Sequence, residues 1–141
     1  PSLAAKTKEE AIRELAEIMQ AAKFIDKADK LVSGALEREG ILSTGMENGL
    51  AFPHVRGVEG GGLTLALGTS REGIQFSDEG VPSNIIFLIT IPTAVSAFYL
   101  RLMAGLTETF LKQQNREAIL LADTQEALWK ALVKATRYAI K

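Results

Sequence analysis

Residues 84–91 read Asn-Ile-Ile-Phe-Leu-Ile-Thr-Ile, almost wholly apolar and rich in β-branched side chains, and the run stops at Pro92. A β-strand sends successive side chains to opposite faces, so a run that is apolar at both parities needs cover on both sides. Helices above and below one sheet supply that cover. The stretch therefore selects an α/β domain: a single layered unit with a mixed β-sheet and helices on both faces. At 141 residues, 47% of them hydrophobic, the chain is long enough for one such domain and too short for two, so residues 1–141 are read as one domain.

The flanking segments agree. Thr7 and Glu10 have the spacing of a capping box, and Ile12, Leu15, Ala16 and Met19 then recur at helical spacing, which predicts a helix over residues 8 to 23. Asp26 is placed to cap a second helix striped by Ala28, Leu31, Val32, Ala35 and Leu36; Arg38 suits the negative end of its dipole, and Gly40 marks its end. Leu63 to Gly68 alternate as a strand, Gly73 to Phe76 form a weaker short one, and Ser77 to Gly80 a loop. Helices follow from about Ala97 to Gln113 and from Arg116 to Ala122. The last is striped by Ala127, Leu128, Leu132, Ala135 and Tyr138, with Asp123 and Glu126 at cap-like spacing. There is no internal repeat or low-complexity segment.

Composition removes several function classes. Sixteen basic residues against seventeen acidic ones give a net charge of −1, so no global field draws the chain to nucleic acid or to an anionic membrane. Without cysteine there is no disulfide, thiolate nucleophile or cysteine-ligated zinc, and one histidine excludes a multi-histidine metal site within one chain. No glycine-lysine-serine or glycine-lysine-threonine phosphate loop occurs. No metal and no nucleotide cofactor is expected. No run approaches the roughly 20 apolar residues of a membrane-spanning helix, and Pro1 to Lys6 do not make a signal peptide. The expected location is cytoplasmic. A start at Pro1 rather than methionine fits either a processed chain or a fragment of a longer protein, in which the domain would be tethered to a membrane component.

The candidate site is the only histidine. Ser43-Thr44-Gly45-Met46-Glu47-Asn48-Gly49 is rich in turn formers, Leu50 to Phe52 is a short apolar run, and Pro53 fixes the backbone directly before His54. This pattern predicts His54 at the end of a strand, within reach of a reacting group, followed by a flexible turn over Val55 to Gly62. A neutral imidazole is nucleophilic near pH 7. A phosphorylated side chain carries close to two negative charges, which the hydroxyls of Ser43 and Thr44, the amides from Gly45 to Gly49, and the cations Arg38 and Arg56 would meet. A plainer reading of the same residues makes Arg38 a dipole partner, Arg56 a solvated loop cation, and Ser43, Thr44 and the glycines turn residues.

Ser43-Thr44-Gly45, Asn48-Gly49, Ala51 and Pro53-His54 together resemble the IIA domains of the bacterial phosphoenolpyruvate-dependent phosphotransferase system, of the mannitol, fructose and nitrogen-regulatory type. The resemblance extends to Arg38-Glu39 ahead of the motif, the strand ending in Pro92 and the helix around Leu100-Arg101-Leu102. It implies that His54 takes a phosphoryl group from the phosphocarrier HPr and passes it to a IIB-type domain, with Arg38 holding the group. Two positions depart from the pattern. Val55 stands where the family usually has glycine or another small residue, and a β-branched side chain there is expected to crowd the imidazole. Tyr99 stands where many members carry a second histidine; its hydroxyl can donate a hydrogen bond to a phosphoryl oxygen but brings no positive charge. The resemblance thus leaves two functions open: a phosphohistidine carrier for sugar uptake or regulation, or a non-catalytic regulatory or sensory module attached to a transporter or transcription regulator. Hydrolysis is disfavoured because no nucleophile-base-orienter trio can be named.

Overall fold

The computed structural model describes residues 3–21, 28–41, 49–58, 64–76, 82–92, 96–122 and 124–136, some of them by backbone alone. In chain order its elements are α1 (Lys8–Ala21), α2 (Ala28–Ile41), β1 (Leu50–Ala51), β2 (His54–Val58), β3 (Thr64–Ile74), β4 (Ser83–Pro92), α3 (Ser96–Leu111), α4 (Gln113–Leu121) and α5 (Gln125–Thr136).

The apolar run is β4, and every other described strand pairs with it. β3 lies antiparallel on one side, with Leu67 opposite Phe87, and β1 and β2 lie parallel on the other. The side chains of β4 divide as the pattern requires. Ile86 and Leu88 join the core under α1 and α2, whereas Ile85, Phe87, Ile89 and Ile91 join the core under α3, α4 and α5. The fold is the α/β sandwich of helices around a mixed sheet that the sequence implies. Each fully buried leucine or isoleucine contributes about 1.5–3 kcal/mol of transfer free energy.

The start of α1 is the reciprocal capping box. Glu10 N–H donates to Thr7 Oγ1 at 3.2 Å, and Thr7 N–H donates to Glu10 Oε1 at 3.2 Å. The helix ends at Ala21 among the described residues, and Asp26 lies outside them. α2 continues through Gly40 to Ile41. At α5 the cap is Thr124, whose Oγ1 accepts the Ala127 N–H at 3.0 Å; Asp123, Tyr138 and the loop over 77–80 lie outside the described residues.

Two expectations about strands change. The pieces read separately around Gly68 and Gly73 are one strand of 11 residues, because both pair with β4. The irregularity between them falls between Thr69 and Ile74, where Gly73 takes φ +87° and Asn84 Nδ2 donates to the Ser70 carbonyl at 2.8 Å. Residues 55–58, expected as the first part of a flexible turn reaching Gly62, belong to β2: His54, Val55 and Arg56 pair with Ile89, Thr90 and Ile91. A free edge of β4 supplied the partner that local composition could not announce.

Candidate functional site

β1 and β2 are one strand with a break. Leu50 pairs with Ile85 and His54 with Ile89, so the register is the same on both sides of Phe52-Pro53. Proline has no N–H to give the ladder, yet its carbonyl still accepts the Ile89 N–H at 3.1 Å. The approach is held by Gly49, at φ +83°, whose carbonyl accepts the N–H groups of Asn84 and Ile85 at 2.8 and 3.0 Å. His54 therefore opens β2 instead of ending a strand, fixed by backbone bonds before and beside it.

The imidazole is buried, with 5% of the residue exposed. Its Nδ1 lies 2.8 Å from the Phe52 carbonyl oxygen. A carbonyl only accepts, so this bond assigns the proton to Nδ1 and the lone pair of the neutral ring to Nε2. The sequence anticipated an accessible ring; the fold instead encloses an oriented one with a single nucleophilic nitrogen.

Val55 does not crowd that ring. It packs against the α1–α2 core, and strand alternation puts the side chain of His54 on the opposite face, with Ile89. Arg38 lies in the last turn of α2, half-buried, as the dipole argument predicts. α2 packs on β2. Ser43, Thr44 and Gly45 lie outside the described residues. Arg56 is in β2 opposite Ile91 and Tyr99 is in the first turn of α3, and the side chains of both lie outside the description. Sequence reasoning passed over Gly34. A glycine inside an amphipathic helix costs about 1 kcal/mol relative to alanine and so signals a close approach. A Cβ on Gly34 would lie 3.1 Å from Val55 Cγ2. Glu39, beside Arg38, is a buried carboxylate at 5% exposure.

Among the described residues there is no group of His, Cys, Asp and Glu placed to hold a metal ion. A cleft of about 230 Å³ opens at the start of β1 between Gly49, Asn84 and Arg116, and His54 does not line it. Among the described residues no helix is long and apolar enough to cross a membrane.

The fold and site thus define an α/β domain that encloses one oriented imidazole at a proline break in a sheet strand. Residues 2–135 match the family model for the phosphoenolpyruvate-dependent sugar phosphotransferase system, EIIA 2, and the chain belongs to that family. It is 30% identical over 129 residues to the fructose-specific EIIA component of Haloferax volcanii, spanning 91% of this chain and 84% of that protein. Its fold is similar to the nitrogen regulatory protein IIA-Ntr of Neisseria meningitidis, with a TM-score of 0.82 and 22% identity over 93% of this chain and 90% of that one. It is also similar to the mannitol IIA enzyme of Escherichia coli, solved in complex with phosphorylated mannitol IIB, with a TM-score of 0.74 and 18% identity over 94% and 92% of the two chains.

Proposed function

We infer that this domain is a phosphohistidine carrier that accepts a phosphoryl group from an HPr-like phosphocarrier on Nε2 of His54 and hands it to a IIB-type domain, for sugar uptake or for regulation. The observation that carries the reading is the hydrogen bond from Nδ1 to the Phe52 carbonyl oxygen at 2.8 Å, which leaves Nε2 as the nucleophile. In the transfer the P–N bond of the donor phosphohistidine breaks as a P–N bond to Nε2 forms. Nδ1 keeps its proton, and the positive charge that spreads over the ring lies against the Phe52 carbonyl dipole. The transfer is reversible because the bond broken and the bond formed are of the same kind. The protein positions the group and excludes water. In this reading Arg38, Arg56, the hydroxyls of Ser43, Thr44 and Tyr99, and the Gly45 amide meet the phosphoryl oxygens.

Incubation with phosphoenolpyruvate, enzyme I and HPr, followed by mass spectrometry under conditions that preserve acid-labile phosphate, tests this. One phosphate on His54 is expected, and none on a His54→Gln variant. An unmodified chain beside a control IIA domain that is modified would sink the carrier reading. Similarity to a nitrogen regulatory protein and the neutral Tyr99 favour a second reading, a regulatory module that binds its target without relaying phosphate. That module would still bind its target with His54 unmodified.

A further inference from the structure

Val55 follows the proposed phosphoryl acceptor and leans on α2 at Gly34. A Cβ placed on Gly34 would lie 3.1 Å from Val55 Cγ2 and 3.4 Å from Cγ1, so the two elements touch and one more carbon fits only if one of them gives by a few tenths of an ångström. Arg38 stands four residues after Gly34 on the same helix. Positions four apart share a helix face about 6 Å from one another. The contact that fixes the α2-to-β2 spacing therefore lies one helical turn from Arg38 and one strand residue from His54.

We propose that Gly34 and Val55 act as a spacer pair, with Gly34 a positioning residue for phosphoryl transfer: the absence of a side chain at Gly34 sets how near α2 comes to β2, and so where Arg38 stands relative to His54. This rests on the carrier reading above. The geometry gives a reason for the pair. His54 and Val55 point to opposite faces of β2, and α2 lies on the face of Val55. Among the described residues β2 has β4 as its one strand neighbour, and no described strand lies on its other side. On the carrier reading Arg38 has to reach a phosphoryl group on Nε2 past that side of β2, so its reach depends on how close α2 lies. Valine after the histidine and glycine on α2 are complementary volumes: the larger side chain on the strand is accommodated by the missing one on the helix.

The test is a set of variants, Gly34→Ala, Val55→Ala and the double variant, each taken through phosphorylation from phospho-HPr at varied donor concentration and through thermal unfolding. Gly34→Ala drives a methyl against Val55 and moves α2 by a few tenths of an ångström. The expected result is a fall in the maximal rate of about fivefold with KM for phospho-HPr unchanged, in line with losses near a hundredfold for a displacement of about 1 Å. The double variant, which adds one methyl on the helix and removes two from the strand, is expected to return within about twofold of wild type, and the imidazole NMR signals of His54 to shift in the single variant and return in the double. Should Gly34→Ala not fold, Val55→Ile presses on the same contact from the strand side and is expected to show the same loss. A Gly34→Ala protein at the wild-type rate, or one slowed and not restored by Val55→Ala while folded, overturns the spacer. Wild type that takes phosphate with all variants equal to it defeats the spacer alone; wild type that takes none defeats the carrier reading and the spacer with it.

Discussion

On one face of β4, Phe87 stacks on Phe52 with centroids 5.5 Å apart and planes 10° from parallel, and leans on Phe110 at 5.9 Å. On the other face, Ile86 and Leu88 meet a core rich in alanine: Ala11, Ala16, Ala35, Ala51 and Ala66. Large rings hold a helix layer away from a sheet; small side chains let it approach. The difference bears on the site because β2 contributes to both faces. His54 shares a face with the aromatic cluster, whose rigid packing fixes Phe52 and with it the carbonyl that orients the imidazole. Val55 belongs to the close-packed face, where α2 comes within contact of the strand at Gly34.

The comparison can be broken at β4 itself. Phe87→Ala removes the ring shared by both aromatic contacts and is expected to cost about 4 kcal/mol; Leu88→Ala, its neighbour on the alanine-rich face, about 3 kcal/mol. Denaturant unfolding of the two variants checks the order, and a costlier Leu88→Ala would show that the small-residue face carries more of the stability. A smaller effect tests the helix starts. Thr124→Ala removes the Oγ1 that accepts the Ala127 N–H at the head of α5, on the aromatic side. Thr7→Ala removes one half of the capping box of α1, on the other side. Each is expected to lower stability by about 1 kcal/mol, Thr7→Ala slightly more since its partner Glu10 loses orientation; hydrogen exchange localised to the first turn of each helix would verify it.

The smallest effect belongs to the ion pair that joins α1 to α2. Arg13 Nη1 lies 2.7 Å from Asp29 Oδ1, but the two side chains are 48% and 86% exposed. The hydrogen bond to Asp29 raises the Arg13 guanidinium further above its already high ordinary value. A base whose folded value is raised stabilises at every pH below its unfolded value and loses that contribution only as pH climbs through the folded one. Arginine therefore stays charged throughout the neutral range, and its titration gives no pH dependence there. Asp29→Asn is expected to leave the unfolding midpoint unchanged within error between pH 6 and 9, at low and at high salt. A clear drop at low salt would mean that the pair, and not the packing of small residues, sets the approach of α1 to α2.

Much of the fold was legible because its signals are local and periodic. The two-sided apolar run of β4, the stripe of Ile12, Leu15, Ala16 and Met19, and the Thr7–Glu10 box each declare themselves within a few residues. β2 did not. Arg56 and Gly57 interrupt any pattern in His54–Val58, and what makes the segment a strand is the ladder offered by Ile89 to Ile91. Of the candidate site, His54 and its proline were visible as the lone histidine and the lone break in an apolar run. Its enclosure was not, and neither was the direction of Val55, since both depend on which face of β4 each helix covers.

By itself the sequence determined that this chain makes a sheet buried on both sides, and that its 141 residues offer one imidazole and no thiol. These follow from residue counts and from patterns whose range is a strand or a few helical turns. Tertiary structure alone decided which nitrogen of His54 carries the proton, that Val55 faces away from it, and that α2 meets β2 where Gly34 lacks a side chain. Those are relations between segments distant along the chain, and they come into being only when β4 supplies a register to β2 and the two helix layers close over its opposite faces.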